Sequence, residues 1–341
     1  MSPPAVTIVD VARRAGVSIK TVSRVLNREP NVRIETRERV NAAAAALNYT
    51  PNVAARSLAG SRSYLLGLLF DNPSLSYIAD VQMGALGKCR LLAHHLIVEP
   101  FPVEGGDVGA RMTALVASLK TDGLILTPPV CDHPEVLAAL DAAGVGYVRI
   151  APYWRPSSAN SVHMDDAAAA YQMTELLIAD GHRDIGFILG HPEHGASQRR
   201  ARGYADALAA ARLPYRAERV QQGYFSFLSG VEAAQTLLFG PDRPTAIFAS
   251  NDDMALGVMS VANRLGLSVP ADLSIAGFDD TPSARVVWPQ LTTVRQPIFE
   301  MGAAAAELLI ERRGRVGEPM LLEFEIVRRG STGPAPERAN A

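Results

Sequence analysis

The stretch that decides the architecture is Thr7-Ile-Val-Asp-Val-Ala-Arg-Arg-Ala-Gly-Val-Ser-Ile-Lys-Thr-Val-Ser-Arg-Val-Leu-Asn27. Thr7 with Asp10 three residues later is a helix-start pattern, a capping residue with an acid placed to reach back to it. Ile8, Val11, Ala12 and Ala15 then recur at helical spacing. Gly16 stops this helix and permits a sharp turn. Ser18 is a good cap for a second helix, whose inner face is Val22, Val25 and Leu26. Two helices joined by a short glycine turn have the spacing of a DNA-reading helix-turn-helix. The outward positions of the second helix are Ile19, Lys20, Thr21, Ser23 and Arg24. Lys and Arg donate to guanine O6 and N7, and a methyl-bearing side chain touches the thymine methyl. Arg28 and Arg33 fall where phosphates would be met. A small helical bundle with a basic surface fits the same spacing, so both readings stand at this point.

C-terminal to this stretch, a third helix carries Val40, Ala43 and Leu47 on one face, with Arg37 and Arg39 off it. It ends near Asn48, and Pro51 prevents its continuation. Asn52 can cap one more short helix, Val53 to Leu58, before a flexible joint at Gly60, Ser61 and Ser63. Charge divides in the same place. Residues 1–61 hold nine Lys or Arg against four Asp or Glu, and the remainder holds 24 against 31, within a chain whose net charge is −2. A basic head on an acidic body is the pattern of a nucleic-acid module joined to something else.

The body alternates. Apolar strand-like runs occur at Leu65–Phe70, Leu96–Phe101, Gly123–Thr127, Gly146–Ile150, Ile185–Leu189, Ala246–Ala249 and Leu273–Gly277. Amphipathic helical stretches lie between most of them, such as Asp165–Ala179, Arg199–Ala211, Leu228–Leu238 and Met254–Leu265. This alternation predicts parallel sheets covered by helices on both faces. The nine or ten strands expected are too many for one small sheet, so two α/β lobes are expected. The fold class is therefore a helical head, α, joined to an α/β body with parallel sheets. The expected division is a head over residues 1–51, a hinge over 52–61, a two-lobed domain over 62–330 and a frayed Pro/Ala-rich tail over 331–341.

Composition excludes other classes. With 341 residues, 48% hydrophobic and 20% charged, the chain is neither disordered nor fibrous. Cys89 and Cys131 are too few for a disulfide framework and lack metal spacing, which suits a reducing cytosol. The first fifteen residues carry Asp10, Arg13 and Arg14 and lack the apolar run of an export signal. No uncharged apolar run approaches the ~20 residues a membrane helix needs. There is no P-loop, no G-x-G-x-x-G after the first strand, no G-x-S-x-G and no H-E-x-x-H. No cofactor, metal site or catalytic residue is expected. His191 and His194 read as loop histidines, because Pro192 interrupts their spacing.

Polar residues gather after the strands. Asp71 and Asn72, then Asn251, Asp252 and Asp253, then Asp279 and Asp280 follow strand-like runs. Arg200 is expected to open a helix, and Gln296 ends the run Thr292–Arg295. Open α/β sheets bind ligands at the carboxyl ends of their strands. Acids, amides and an arginine beside an aromatic face suit a polyhydroxylated ligand. The same acids can instead cap helices, and Asp252 and Asp280 are read as caps first.

The quoted head resembles that of the LacI–GalR transcription repressors. So do Thr36-Arg-Glu-Arg-Val40, Leu47-Asn-Tyr-Thr-Pro-Asn-Val-Ala-Ala-Arg-Ser-Leu-Ala-Gly60, Ala249-Ser-Asn-Asp-Asp-Met-Ala-Leu-Gly257, Ser274-Ile-Ala-Gly-Phe-Asp-Asp-Thr281 and Pro289-Gln-Leu-Thr-Thr-Val-Arg-Gln296. The resemblance implies a cytoplasmic homodimer that holds two half-sites of a pseudo-palindromic operator about one helical turn apart and is released by a small mono- or disaccharide effector. It implies DNA contacts from Thr7, Ser18, Ile19, Lys20, Thr21, Ser23, Arg24, Arg28, Asn52, Ala55, Leu58 and Ala59. Leu58 matches a hinge leucine that unstacks a base step in the minor groove. A hinge helix this short orders only on DNA. In the body the resemblance puts Asp166, Arg200, Phe225, Asn251, Asp279 and Gln296 in the effector cleft, with Phe225 stacking on the sugar. Phe70, Leu75 and Tyr77 would contribute from the other lobe. Ser197-Gln-Arg-Arg200 offers a second arginine, Arg199, as the clamp. Three departures stand out: Ile19 is apolar where a hydrogen-bonding residue is common, Arg33 occupies a usual capping position, and Tyr224 replaces a frequent acid. A sugar receptor without a DNA role, or a sugar-active enzyme using Asp166 and Asp279 as an acid/base pair, shares the cleft but leaves the basic head unexplained.

Overall fold

The computed structural model describes residues 6–26, 32–49, 62–153, 160–240, 242–312 and 317–337. They form two compact units, Met1–Tyr64 and Leu65–Ala341.

In the first unit, α1 (Ile8–Ala15), α2 (Ile19–Leu26) and α3 (Ile34–Ala46) pack against one another. The Asp10 carboxylate accepts the Thr7 backbone N–H at 3.0 Å and the Thr7 hydroxyl at 2.7 Å. Those bonds hold its carboxyl below the usual carboxylate range, helped by Arg13. Gly16 adopts φ +63° at the end of α1, and the Thr21 N–H donates to Ser18 Oγ at 3.1 Å to cap α2. Val11, Val22 and Val40 are fully buried at the centre, one from each helix, with Ala12, Ala15, Val25, Ala43 and Ala44 around them. Ile8, Leu26 and Leu47 close the edge of this core. Arg33 gives α3 no side-chain cap. Arg28, Asn52, Ala55, Leu58 and Ala59, and with them the expected hinge helix, lie outside the described residues.

The second unit holds two six-stranded sheets. The strands of the first are β1 (Leu65–Phe70), β2 (His95–Pro100), β3 (Gly123–Leu126), β4 (Tyr147–Ile150), β5 (Ser161–His163) and β11 (Met320–Leu321), in the order β11-β5-β4-β3-β1-β2. The second contains β6 (Ile185–Ile188), β7 (Val220–Gln221), β8 (Ala246–Ala249), β9 (Ser274–Asp279), β10 (Thr292–Arg295) and β12 (Glu325–Val327), in the order β12-β10-β9-β8-β6-β7. Every pairing is parallel except β10 with β12. The apolar runs became these strands because both faces are covered: β3, β6, β8 and β9 are buried throughout. The strands that periodicity missed, β5, β7, β11 and β12, have two or three residues each.

Helices α4 (Leu75–Leu91), α5 (Val108–Leu119), α6 (Pro134–Ala143) and α12 (Ile298–Arg312) belong to the first lobe. Helices α7 (Asp166–Ala179), α8 (Gly195–Ala210), α9 (Phe227–Leu238), α10 (Asp252–Arg264) and α11 (Pro282–Val286) belong to the second. The chain therefore passes between the lobes three times: after β5, after β10, and between β11 and β12. α4 crosses α12 where Gly84 and Gly302 meet it: a Cβ on either would overlap the backbone of the opposite helix.

Two expectations need correction. Helix α8 begins at Gly195, not near Arg199, so Arg200 lies in its second turn rather than at its start. Gly195 and Ser197 are weak helix formers, which hid this first turn. The residues after Gly330 are not frayed as far as Ala335. The Ile275 N–H donates to Ser331 O at 2.8 Å, and the Ser331 N–H to Gln290 O at 3.0 Å. The Ser331 hydroxyl donates to Ile275 O at 2.6 Å and accepts the Thr292 N–H at 2.8 Å. His182, buried, bonds Gly333 O at 3.1 Å, and the Ala335 N–H donates to Asp180 O at 2.8 Å. Backbone pairing, not composition, decides order here.

Candidate functional site

A cavity opens between the two lobes at the carboxyl ends of their strands. The first lobe supplies Asn72 and Ser74 from the β1–α4 turn, Tyr77 from the first turn of α4, Pro128 after β3 and Ala151 after β4. The second supplies His194, Ala196 and Arg200 around the start of α8, Phe225 before α9, Asn251 after β8, Asp279 at the end of β9, and Gln296 after β10. Six of the expected effector residues thus meet: Tyr77, Arg200, Phe225, Asn251, Asp279 and Gln296.

Arg200 is held in place on all sides. Its Nε and Nη2 each donate to Asp166 Oδ1 at 3.0 Å, its Nη1 donates to Ser250 O at 2.5 Å, and its guanidinium lies 3.6 Å from the centre of the Phe278 ring. Asp166 reaches it because α7 and α8 approach closely at Gly203, where a Cβ would overlap the Ala167 carbonyl. The other oxygen of Asp166 accepts from Arg199 Nε at 3.2 Å. Burial alone would raise the Asp166 carboxyl, but the two guanidiniums outweigh it and hold it below its usual range. Asp166 therefore stands behind Arg200 and does not line the cavity. Arg199 is not a second clamp. Its Nη1 donates to Pro152 O at 3.2 Å and its Nη2 to Ala151 O at 3.4 Å, both on the first lobe.

Asp279 has φ +123° and Asp280 φ +59°. Two successive non-glycine residues in this region are strained, and the turn sends their carboxylates different ways. Asp279 is buried in the cavity wall, accepts from Gln296 Nε2 at 2.5 Å, and is pushed well above its usual range by burial, against the pull of Arg200. Asp280 points away into Arg285, Arg295 and Arg329. It is an ion-pair hub rather than the helix cap expected. The cap expected at Asp252 is also misplaced. Asn251 caps α10, accepting the Met254 N–H at 3.0 Å, and its Nδ2 donates to Phe225 O at 3.0 Å. Asp252 turns inward to accept from Thr293 Oγ1 at 2.6 Å and the Thr281 N–H at 2.7 Å, and burial pushes it up to about 7. Asp253 reaches across the cleft, accepting from Ser74 Oγ at 3.0 Å, and burial raises it as well.

Leu75 and Phe70 do not reach the cavity. Leu75 begins α4 with 76% exposure, and Phe70 packs against the core at the end of β1. His194 was missed. It precedes α8, burial drives its imidazole down to about 3, and its ring lies 5.4 Å from that of Phe225. The hidden first turn of α8 removed the signal that would have placed it. Phe225 seats its ring against Gly190, where a Cβ would overlap it. Tyr224 is exposed and meets His191 instead. Among the described residues, no cluster of three or more His, Cys, Asp or Glu could hold a metal ion.

On the head, Ile19 and Lys20 are exposed, and Thr21, Ser23 and Arg24 are half-buried beside them on the outer side of α2. Ser18 Oγ and Thr21 Oγ1 lie 2.9 Å apart at the helix start, and Thr7 is exposed at the start of α1.

Residues 7–52 match the model of bacterial regulatory proteins, lacI family, and residues 174–332 match a periplasmic binding protein-like domain. Catabolite control protein A of Priestia megaterium is 35% identical over 305 residues, 89% of this chain and 91% of its own. The chain belongs to the lacI family. The ribose operon repressor of Haemophilus influenzae is 34% identical over 309 residues, covering 90% of this chain and 91% of that one. Among solved structures, a Lac repressor dimer bound to operator and the anti-inducer ONPF superposes with a TM-score of 0.76 at 30% identity, covering 96% of this chain and 99% of that one. A complex of the regulator CelR with cellobiose gives a TM-score of 0.73 at 31% identity, with the same coverage. Relatives of this lacI-family chain are named as repressors. Among the described residues no helix is long and apolar enough to cross a membrane.

Proposed function

We propose that this lacI-family chain is a cytoplasmic, non-enzymatic repressor that binds a pseudo-palindromic DNA operator as a homodimer and is released by a small sugar-like effector. The observation that carries the reading is the cavity itself: Arg200, Asn251, Asp279 and Gln296 converge beside the Phe225 ring in a cleft of a chain whose head exposes Lys20. Hydroxyls donate to the acid and accept from amide and guanidinium, while the aromatic face covers the apolar side of a sugar ring. Asp166 and Asp279 do not make an acid/base pair, because both oxygens of Asp166 are occupied by Arg199 and Arg200. On the head, Lys20 and Arg24 are four residues apart and share one helix face, as base readers require.

The second copy is proposed to dock on an apolar face of the second lobe. Trp288 is 89% exposed and Val286 84%, and Trp288 lines one groove with Phe227, Leu256, Met259 and Val287. A monomer has no use for such a patch.

A mobility-shift assay tests the reading. Operator DNA is shifted by the dimer and freed on adding mono- or disaccharides, and the same sugar stabilises the folded protein by about 2.7 kcal/mol at a hundredfold excess over Kd, read as a rise in melting temperature. Product formation from the sugar, or a shift that no sugar reverses, refutes it.

A further inference from the structure

We infer that the cleft selects a neutral polyol and rejects the anionic counterparts, uronates and sugar phosphates; this rests on the effector reading above. Among the described residues lining the cavity, Arg200 is the sole cation. Its charge is already met: two of its nitrogens are on Asp166, a third is on the Ser250 carbonyl, and its flat face is against Phe278. Arg199 shares the same carboxylate and spends its remaining donors on the carbonyls of residues 151 and 152. Against these two guanidiniums stand Asp166 behind the wall, Asp279 in it, Asp253 near Ser74, and Asp252 behind Asp279.

Asp279 is the deciding group. Ionised, it repels an anion in a site where water is scarce. Protonated, as its burial favours, it donates a hydrogen bond and leaves the wall neutral. Among the described residues, neither state offers an anionic ligand an unpaired cation. The start of α8 adds a partial positive charge of about half a unit, less than an ionised Asp279 removes. His194 adds none, because its buried imidazole is neutral. The remaining lining groups, Asn72, Ser74, Tyr77, Asn251 and Gln296, are uncharged and serve hydroxyls. Phe225 and Tyr77 offer one aromatic residue from each lobe.

The test is calorimetric titration of the full-length protein with glucose, galactose, mannose, ribose, xylose and arabinose, with cellobiose and lactose, and with glucuronate, galacturonate, glucose 6-phosphate and ribose 5-phosphate. At least one of the neutral sugars is expected to bind, and every uronate or phosphate about tenfold weaker than the tightest of them, or worse. The affinity of that sugar is expected to be flat from low to high salt, which screens charged pairs only. At high pH, where Asp279 is ionised, Asp279→Asn narrows the gap between sugar and uronate. An anionic member that binds as tightly as its neutral partner, or affinity that falls with salt, overturns the inference while leaving a sugar effector in place. If no sugar binds, the effector reading itself falls, and this inference with it. The wild-type comparison stands even if the Asp279 variant fails to fold.

Discussion

Asp166→Asn removes one charge and almost no volume, so it isolates what that carboxylate does. The side chain is buried, with Arg200 on one oxygen and Arg199 on the other. Removing one partner of a buried ion pair costs about 3–5 kcal/mol, because the other partner is left without a counter-charge. Arg199 is 19% exposed, so water takes up part of that cost, and a loss near about 3 kcal/mol is expected at neutral pH. For a body of this size that is a fall of about 6–12 °C in melting temperature. The sugar should bind more than about tenfold weaker, because Arg200 loses its fixed orientation. The pH dependence has a definite sign. The folded carboxyl sits below its ordinary value of 3.8, so its contribution is complete above that value and is lost as pH falls through the lower folded one. Urea unfolding of the two proteins should therefore differ at neutral pH and converge in strong acid. A variant within about 1 kcal/mol of wild type, binding sugar unchanged, would show that Asp166 positions nothing.

Ser331→Ala leaves the Thr292 N–H and the Ile275 carbonyl without their buried partner. It should cost about 2–3 kcal/mol in urea unfolding; an unchanged midpoint would mean the segment is dispensable. Trp288→Arg should leave the fold intact, because the ring is exposed, but give a monomer in sedimentation velocity, with weaker operator binding; a persisting dimer places the interface elsewhere. Arg24→Ala should lower operator affinity by about 10–100-fold and leave sugar affinity alone. Equal loss of sugar binding would refute the separation of tasks between head and body.

Legibility in the sequence followed the strength of the local signal. Gly16, Ser18 and the apolar positions of α1 and α2 act over three or four residues, and each does in the structure what its type implies. The strands Leu65–Phe70 and Ala246–Ala249 appear with the bounds their apolar runs suggest, since a run buried on both faces needs no alternation. The short strand Ser161–His163 had no such run. It exists because β4 and β11 flank it, which is tertiary information. The order of Ser331–Ala335 was hidden for the same reason: small residues with little apolar surface are held by backbone bonds to distant strands.

In the cleft, residue type was readable but the division of labour between chain neighbours was not. Asp279 and Asp280, Asp252 and Asp253, and Arg199 and Arg200 look alike in sequence, and each pair splits. Asp279 faces the cavity while Asp280 gathers three arginines; Asp252 turns into the second lobe while Asp253 bonds Ser74 of the first; Arg200 lines the cavity while Arg199 grips the first lobe's carbonyls. One residue of each pair is aimed by a backbone turn, as at Asp279 and Asp280, or by position on a helix, as at Arg199 and Arg200. The outcome is that two of the groups lining the cavity, Arg200 and Asp279, each have a neighbour tied to a different body of the structure. A ligand that draws on Arg200 pulls on Asp166, and through it on Arg199 and the first lobe. A change of lobe angle that breaks the Ser74–Asp253 bond likewise disturbs the first turn of α10, where Asn251 lines the cavity. Coupling of this kind is reciprocal: whatever ligand binding does to lobe closure, lobe closure must do to ligand affinity.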